Sequence, residues 1–314
     1  MVKGAHHFFI TICAAGVSGE MEIIMLIGAL EAGGTKMVCA VGNKYGNIFD
    51  MTTFPTKDPS VTIPCIVDYF KKEGIDCLGI GCFGPIDLDS RSLTYGYITS
   101  TPKLAWKNYD MVGNMRKAMD IPIGFDTDVN GAVLGEVTFG AAKGLDFVIY
   151  ITIGTGVGVG VYQNGQLMHG MMHPEAGHIL MKKREDDTYH GKCPYHKTCF
   201  EGLAAGPAIE ERWGARAAKL KERSEVWDLE AYYIAQALTN YIYVYSPQKI
   251  ILGGGVMNQE QLFLLIRNKV IELNAGYVSC KGLQDMDHYI VPASLHDKQG
   301  ILGALELGRR AFQE

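Results

Sequence analysis

Residues 147–163 read Phe-Val-Ile-Tyr-Ile-Thr-Ile-Gly-Thr-Gly-Val-Gly-Val-Gly-Val-Tyr-Gln, and the division of this stretch decides the fold. Glycines at 154, 156, 158 and 160 superficially match a dinucleotide-binding fingerprint, but that motif must open a helix. Here Val157, Val159 and Val161 alternate with Gly158, Gly160 and Tyr162, which is the period of a strand. The segment therefore reads as a strand (Phe147 to Thr152), a glycine turn around Gly154-Thr155-Gly156, and a second strand (Val157 to Tyr162). The same scheme stands earlier in the chain: Leu26-Ile-Gly-Ala-Leu, the turn Glu31-Ala-Gly33-Gly34-Thr35-Lys36, then Met37-Val-Cys-Ala-Val. Such turns let backbone N–H groups approach an anion, with a Thr hydroxyl and a Lys ammonium alongside, although Gly-Gly between apolar runs is equally a hairpin signal. Two glycine–threonine hairpins imply a duplication, with similar domains facing a shared phosphate.

Around the first hairpin, Asn47 to Phe54 continues as a third strand, and Ser60 to Lys72 has helical spacing with Ile63, Ile66, Val67 and Phe70 on one face. Cys77 to Phe83 is a buried strand stopped by Gly84-Pro85. The order β, β, β, α, β departs from the alternation of a dinucleotide fold and suits a mixed sheet with helices outside it. Tyr109 to Asp120 reads as a helix and Pro122 to Phe125 as a short strand, which runs into Asp126-Thr127-Asp128-Val129-Asn130 and a helix from Gly131 to Phe139. An acid at the carboxyl end of a strand is where open α/β sheets place their chemistry, so Asp128 is a candidate base. Helix capping by Asp126 or Asp128 is the competing use. Downstream, Gly206-Pro207 starts a helix to Trp213, and Leu229 to Tyr245 is a long apolar-faced helix. Lys249 to Leu252 is a strand ending in Gly253-Gly254-Gly255-Val256-Met257, where a flat ligand could lie against the backbone. Gln259 to Leu273 and Gly300 to Phe312 are the last helices.

A chain of 314 residues exceeds the size at which one core keeps growing, so two domains are expected. The net charge of −5, without a basic run, argues against a dedicated nucleic-acid surface and favours small-molecule partners. No stretch approaches the roughly 18 apolar residues that would span a bilayer. Of the cysteines, only Cys193 and Cys199 are close-set among polar residues, a pattern that suits a reducing cytoplasm with one metal site rather than a disulfide framework. Residues 1–24 precede the start of the domain pattern. Their apolar run from His7 to Val17 superficially resembles a secretory signal, but an over-long start or a disordered leader is the expectation.

Between the second hairpin and the last helices lie His173-Pro-Glu175-Ala-Gly-His178 and Cys193-Pro-Tyr-His196-Lys-Thr-Cys199-Phe-Glu201. His178, Cys193, His196 and Cys199 form a Cys₂His₂ set of the type tetrahedral zinc favours. His190 is an extra potential ligand, but the even Cys-x-x-His-x-x-Cys spacing favours those four. The alternative is a surface loop with free thiols. Glu175 and Glu201 stand beside the first and last ligands, so a metal clip would fix two acids able to hold a polar substrate.

Together with Glu31-Ala-Gly-Gly-Thr-Lys36, Thr127-Asp128-Val129-Asn130, Ile153-Gly-Thr-Gly-Val-Gly158, Gly206-Pro207 and Gly253-Gly-Gly-Val-Met257, these motifs resemble the ROK family of sugar kinases. The likeness runs over residues 25 to 312 and is closest to the family's bacterial zinc-containing fructokinases. The resemblance implies an α/β chain of two actin-like (ribonuclease-H-like) domains, with mixed sheets flanked by helices and a cleft between. It implies a leader at 1–24, an N-terminal domain at 25–130, a C-terminal domain at 131–299 with a zinc loop at 178–199, and a closing helix at 300–314 packed back on the N-terminal domain. The implied activity is ATP-dependent phosphorylation of D-fructose to fructose 6-phosphate by a cytoplasmic homodimer.

Asp128 would be the general base. Gly33, Gly34, Thr35, Lys36, Thr155 and Gly156 would hold the phosphates, bridged by magnesium; Pro207, Gly253, Gly254, Gly255, Val256 and Met257 would line the nucleotide pocket. Gly84, Thr101, Pro102, Lys103, Thr127, Glu175, His178 and Glu201 would face the sugar, with Thr101-Pro102-Lys103 the main ground for fructose over glucose. Zinc on His178, Cys193, His196 and Cys199 would be structural, since four protein ligands leave no position for activating water. Two departures stand out: Glu31 where the family often has Asp, and His296-Asp297-Lys298-Gln299 where a turn of small residues is expected. The alternatives are a kinase for glucose, mannose or N-acetylmannosamine, and a sugar-responsive regulator. The latter needs a helix-turn-helix, for which the residues before Met25 are too few.

Overall fold

The computed structural model describes residues 25–313; the leader expected at 1–24 lies outside the described residues. β1 (Ile27–Ala32), β2 (Lys36–Gly42) and β3 (Ile48–Pro55) form an antiparallel meander. Helix α1 (Pro59–Glu73) crosses over, and β4 (Cys77–Cys82) returns parallel to β1. Helix α2 (Met111–Met119) leads to β5 (Ile123–Thr127), parallel to β4 and followed by α3 (Asp128–Phe139). The plan then repeats. β6 (Phe147–Ile153), β7 (Val157–Gln163) and the short β8 (Gln166–Leu167) form the second meander. Here α4 (Phe200–Ala204), α5 (Gly206–Trp213) and α6 (Ser224–Tyr245) stand where the first sheet has one crossover helix. β9 (Lys249–Gly253) returns parallel to β6, α7 (Gln261–Asn274) leads to β10 (Ile290–Pro292), and α8 (Gln299–Gln313) closes the chain. The sheet orders, β3-β2-β1-β4-β5 and β8-β7-β6-β9-β10, match strand for strand. The duplication expected from the glycine turns is thus a duplication of topology.

The central strands β1 and β4 read as near-continuous apolar runs because both of their faces are covered, the usual condition of parallel strands. Leu30, Leu78 and Ile80 pack under α1 with Ile63, Ile66 and Phe70. Ile27, Ala29 and Cys77 face the other way, against Ile301, Ala304 and Leu305 of α8. Each fully buried side chain of this size contributes about 1.5–3 kcal/mol.

The helices that end the two repeats change places. α8 follows the second sheet yet lies across β4, β1 and β5 of the first, whereas α3 follows the first sheet and packs on β7 and β6 of the second. The two helices also pack on each other, and glycine permits the approach: a Cβ at Gly303 would run into the Gly131 carbonyl, and one at Gly79 into the Ala304 carbonyl. The boundary expected after Asn130 falls inside α3. One helix begins later than its sequence suggests. Tyr109 and Asp110 pair with Tyr97 and Ile98 as a short antiparallel ribbon, so α2 starts at Met111, capped by Asp110 Oδ1, which accepts from Gly113 N at 2.7 Å.

Candidate active site

Sheet register gathers the motifs at one end of the molecule. Ala32 pairs with Cys82 and Cys82 with Thr127, so the Gly33–Lys36 turn, Gly84 and Asp128 all leave the carboxyl ends of neighbouring parallel strands. In the second sheet Thr152 pairs with Gly253, which sets the Gly154–Gly156 turn beside Gly254 and Gly255.

Asp128 is the first residue of α3, and neither aspartate caps that helix. Thr127 does so, its hydroxyl accepting from Asn130 N at 3.1 Å. The Thr127 side chain expected to face a sugar is therefore committed to the helix end and buried. Burial pushes the Asp128 carboxyl up to about 6, against the lowering effect of the Val129 N–H that Oδ1 accepts at 2.9 Å. Glu31, raised to about 7 by burial and then by Asp128, faces the start of α8, where its carboxyl would meet any Cβ at Gly300. A carboxyl held near neutrality can take up and release a proton at physiological pH.

The first glycine turn is closed by Gly33 N–H donating to Lys36 O at 3.0 Å and tied to the end of β3 by the Thr56 hydroxyl, which donates to Gly33 O at 2.7 Å. Thr35 and Lys36 are exposed beside it. Of the Thr101–Lys103 loop, Thr101 is buried and its hydroxyl accepts Lys103 N–H at 3.3 Å, so it braces the loop instead of facing a ligand. Pro102 is exposed, and the Lys103 side chain lies against Gly34.

The Glu175 side chain is 41% exposed, yet its carboxyl is raised to about 7 by desolvation, then by Asp128 and Glu201. His173, which carries no functional signal of its own in the sequence, is buried. Its Nε2 accepts Ile86 N–H at 3.1 Å, which leaves the proton on Nδ1, 3.4 Å from Glu175 Oε1. Gly84 lies against the same imidazole. Asp126, Asn130 and His169 form a second unforeseen set: Asp126 Oδ1 accepts from Asn130 Nδ2 at 2.7 Å, and Asp126 Oδ2 lies 2.8 Å from His169 Nε2. That hydrogen bond raises the His169 pKa. The only available signal for these residues was the motifs containing His173 and Asn130; His169 is a lone loop histidine.

The second glycine turn is held differently. Glu201 Oε2 accepts Val157 N–H at 3.0 Å, and Gly206 N–H donates to Gly154 O at 2.8 Å, so α4 and the start of α5, with Pro207, rest on the turn. Gly254 takes φ +87, a conformation side chains rarely adopt, and Gly255 has open space where a Cβ would stand. Val256 and Met257 depart from expectation: both side chains are buried in the second core, because the short helical turn at Gly255–Asn258 rotates them inward. A nucleotide pocket here would be lined by the glycines.

His178, Cys193, His196 and Cys199 bring ligand atoms within 4.8 Å of one another, and His190 is not among them. Tetrahedral zinc with bonds of about 2.3 Å to sulfur and about 2.1 Å to nitrogen sets such ligands about 3.6 Å apart. His178 Nδ1 lies 3.5 Å from Cys199 Sγ and 3.8 Å from Cys193 Sγ, and His196 Nδ1 lies 3.8 Å from Cys193 Sγ. The donor set thus fits zinc, with His178 turned so that Nε2 faces away from the sulfurs. Cys199 also caps α4, its sulfur accepting Gly202 N–H at 3.4 Å. The cluster therefore holds the helix that carries Glu201.

Comparison with known proteins agrees with this architecture. The ROK family model matches residues 27–311. A Bacillus subtilis (strain 168) protein with a provisional fructokinase designation is 52% identical over 92% of this chain and 97% of its own length. A Pediococcus pentosaceus fructokinase is 44% identical over 92% of this chain and 99% of its own. Among solved structures, a ROK hexokinase from Thermus thermophilus superimposes with a TM-score of 0.74 at 22% identity, covering 92% of this chain and 99% of that one.

Proposed function

The chain belongs to the ROK family, and on that premise we propose that it is an ATP-dependent fructokinase, making fructose 6-phosphate from D-fructose. The observation that carries the reading is Asp128: a carboxyl at the carboxyl ends of parallel strands beside the first glycine turn, raised to about 6 and electrostatically coupled to Glu31 and Glu175. The choice of fructose is supported by relatives named fructokinases at 44% and 46% identity over most of the chain.

Asp128 accepts the proton of the attacking sugar hydroxyl. Its task is modest, since phosphoryl transfer depends mainly on positioning and charge neutralisation. The Gly33–Lys36 turn and Thr155-Gly156 present N–H and hydroxyl donors to the phosphates, and the Gly253–Gly255 backbone and Pro207 border the nucleotide. Glu175, His178 and Glu201 form the sugar wall; His178 presents Nε2 while Nδ1 serves the metal set. Magnesium, when bound with ATP, neutralises phosphate charge, and Glu31 stands at the first turn as the acid closest in sequence to it. Zinc on His178, Cys193, His196 and Cys199 is structural. The two repeats meet at the closely packed α3–α8 helix pair. The same proposal includes a homodimer and a cytoplasmic setting, where thiols stay reduced, which suits cysteines that are free among the described residues.

The test is ADP release with fructose, glucose, mannose and N-acetylmannosamine. A clear preference for fructose is expected, and a preference for another of these sugars overturns the substrate assignment.

A further inference from the structure

Lys103 sits in a firmly anchored loop. On one side Thr101 is buried and accepts the lysine's own N–H. On the other, Trp106 is 2% exposed, donates its indole N–H to Lys57 O at 2.8 Å, and packs edgewise against Phe83 and Tyr109. From this base the lysine runs across the first glycine turn: a Cβ built on Gly34 would lie 2.8 Å from Lys103 Cε and 3.8 Å from Nζ. The side chain is half-buried, and among the described residues its ammonium has no ion-pair partner. A partly desolvated cation needs an anion, and the turn beneath it presents backbone N–H groups suited to one. A phosphoryl group entering there would meet N–H donors on one face and the ammonium on the other. A sugar hydroxyl is neutral and gains less from the same charge.

We propose that Lys103 is a catalytic residue that contacts the γ-phosphoryl oxygens of ATP, not a sugar-binding residue; this rests on the kinase reading above. In the transfer, the fructose hydroxyl gives its proton to Asp128 while its oxygen forms the new bond to the γ-phosphorus. The bond from that phosphorus to the oxygen bridging the β-phosphate breaks, and its electron pair leaves on ADP. Lys103 exchanges no proton. Its charge meets the negative charge on the oxygens of the group in flight, where one preorganised donor is worth roughly 10²–10³ in rate.

The experiment compares wild type, Lys103→Met and Lys103→Arg in steady-state kinetics, using the sugar that the wild type turns over best, with sugar affinity measured by calorimetry without nucleotide. Circular dichroism checks that each variant is folded. Lys103→Met is expected to lose about 100-fold in kcat, with sugar affinity within about threefold of wild type, and Lys103→Arg to recover about tenfold over Met. Sugar affinity weakened more than tenfold with kcat preserved, or a Met variant as fast as wild type, would overturn the assignment. A wild-type preference for a sugar other than fructose overturns only the substrate reading, and Lys103 is then judged on that sugar.

Discussion

The two glycine turns hold equivalent places in two matching sheets, yet different parts of the protein keep them in shape. The first is supported locally: Thr56, just past β3, bonds to Gly33 O through its hydroxyl and to Thr35 O through its N–H. It faces cationic side chains, Lys36 at its end and Lys103 across it. The second is supported from far along the chain, by Glu201 of α4 and by Gly206 at the start of α5, and α4 is in turn capped by a cysteine of the metal cluster. Duplication supplied the same scaffold twice, and divergence gave one copy charge and the other a prop capped from a Cys/His set whose spacing suits a metal. Metal binding should therefore be felt first at the second turn.

Breaking the shared centre should have the largest effect. Asp128→Asn keeps the shape and removes the base, and kcat should fall by roughly 10²–10⁴ in the ADP-release assay; turnover near wild type would sink the mechanism. The same residue sets the pH response. A base is active when deprotonated, so activity should fall about tenfold per pH unit as the pH drops below about 6. For stability the sign is opposite. A carboxyl raised in the folded state disfavours folding once it ionises, so Asp128, Glu31 and Glu175 should lower the melting temperature as pH rises from about 4 toward 7. Asp128→Asn should remove part of that loss, which thermal melts at pH 5 and pH 8 would reveal.

The asymmetry between the turns makes smaller, separable predictions. Removing zinc with a chelator should lower the melting temperature and raise KM for ATP by about tenfold, through Cys199, α4 and Glu201. Unchanged kinetics in protein shown to be zinc-free would refute that route. Glu201→Ala should reproduce the ATP effect with zinc still bound and also weaken sugar binding, and leaving Val157 N–H unpaired should cost about 1–3 kcal/mol in denaturant unfolding. Thr56→Val at the first turn should cost only about 0.5–1.5 kcal/mol and leave the response to zinc removal unchanged. If Thr56→Val altered that response, the two turns would not be independently supported.

Much of the site was legible because short motifs specify local geometry. Glycine, threonine and lysine in one hexapeptide define a tight turn between two strands, and Cys-x-x-His-x-x-Cys defines spacing that the tertiary fold had only to complete with His178. What could not be read was the direction of side chains within those motifs. Thr127 was expected at the sugar and is a helix cap; Val256 and Met257 were expected at the nucleotide and lie in the core. Nothing in the sequence marks His173, whose ring joins Glu175 to the Ile86 backbone, a contact between segments far apart in sequence. Neither spacing nor periodicity encodes such a contact.

By itself the sequence determined the periodicities: strand against helix after Gly154, the repeated hairpin, the Cys₂His₂ set and an acid at a strand end. These are local properties, fixed by φ/ψ preference and by alternation of apolar residues. Only the tertiary structure decided that α3 and α8 exchange sheets, that Glu201 props a backbone turn, and that Lys103 lies over Gly34. Each of these depends on which surfaces meet once two cores have formed, and that is settled by packing between distant segments rather than by any stretch read alone.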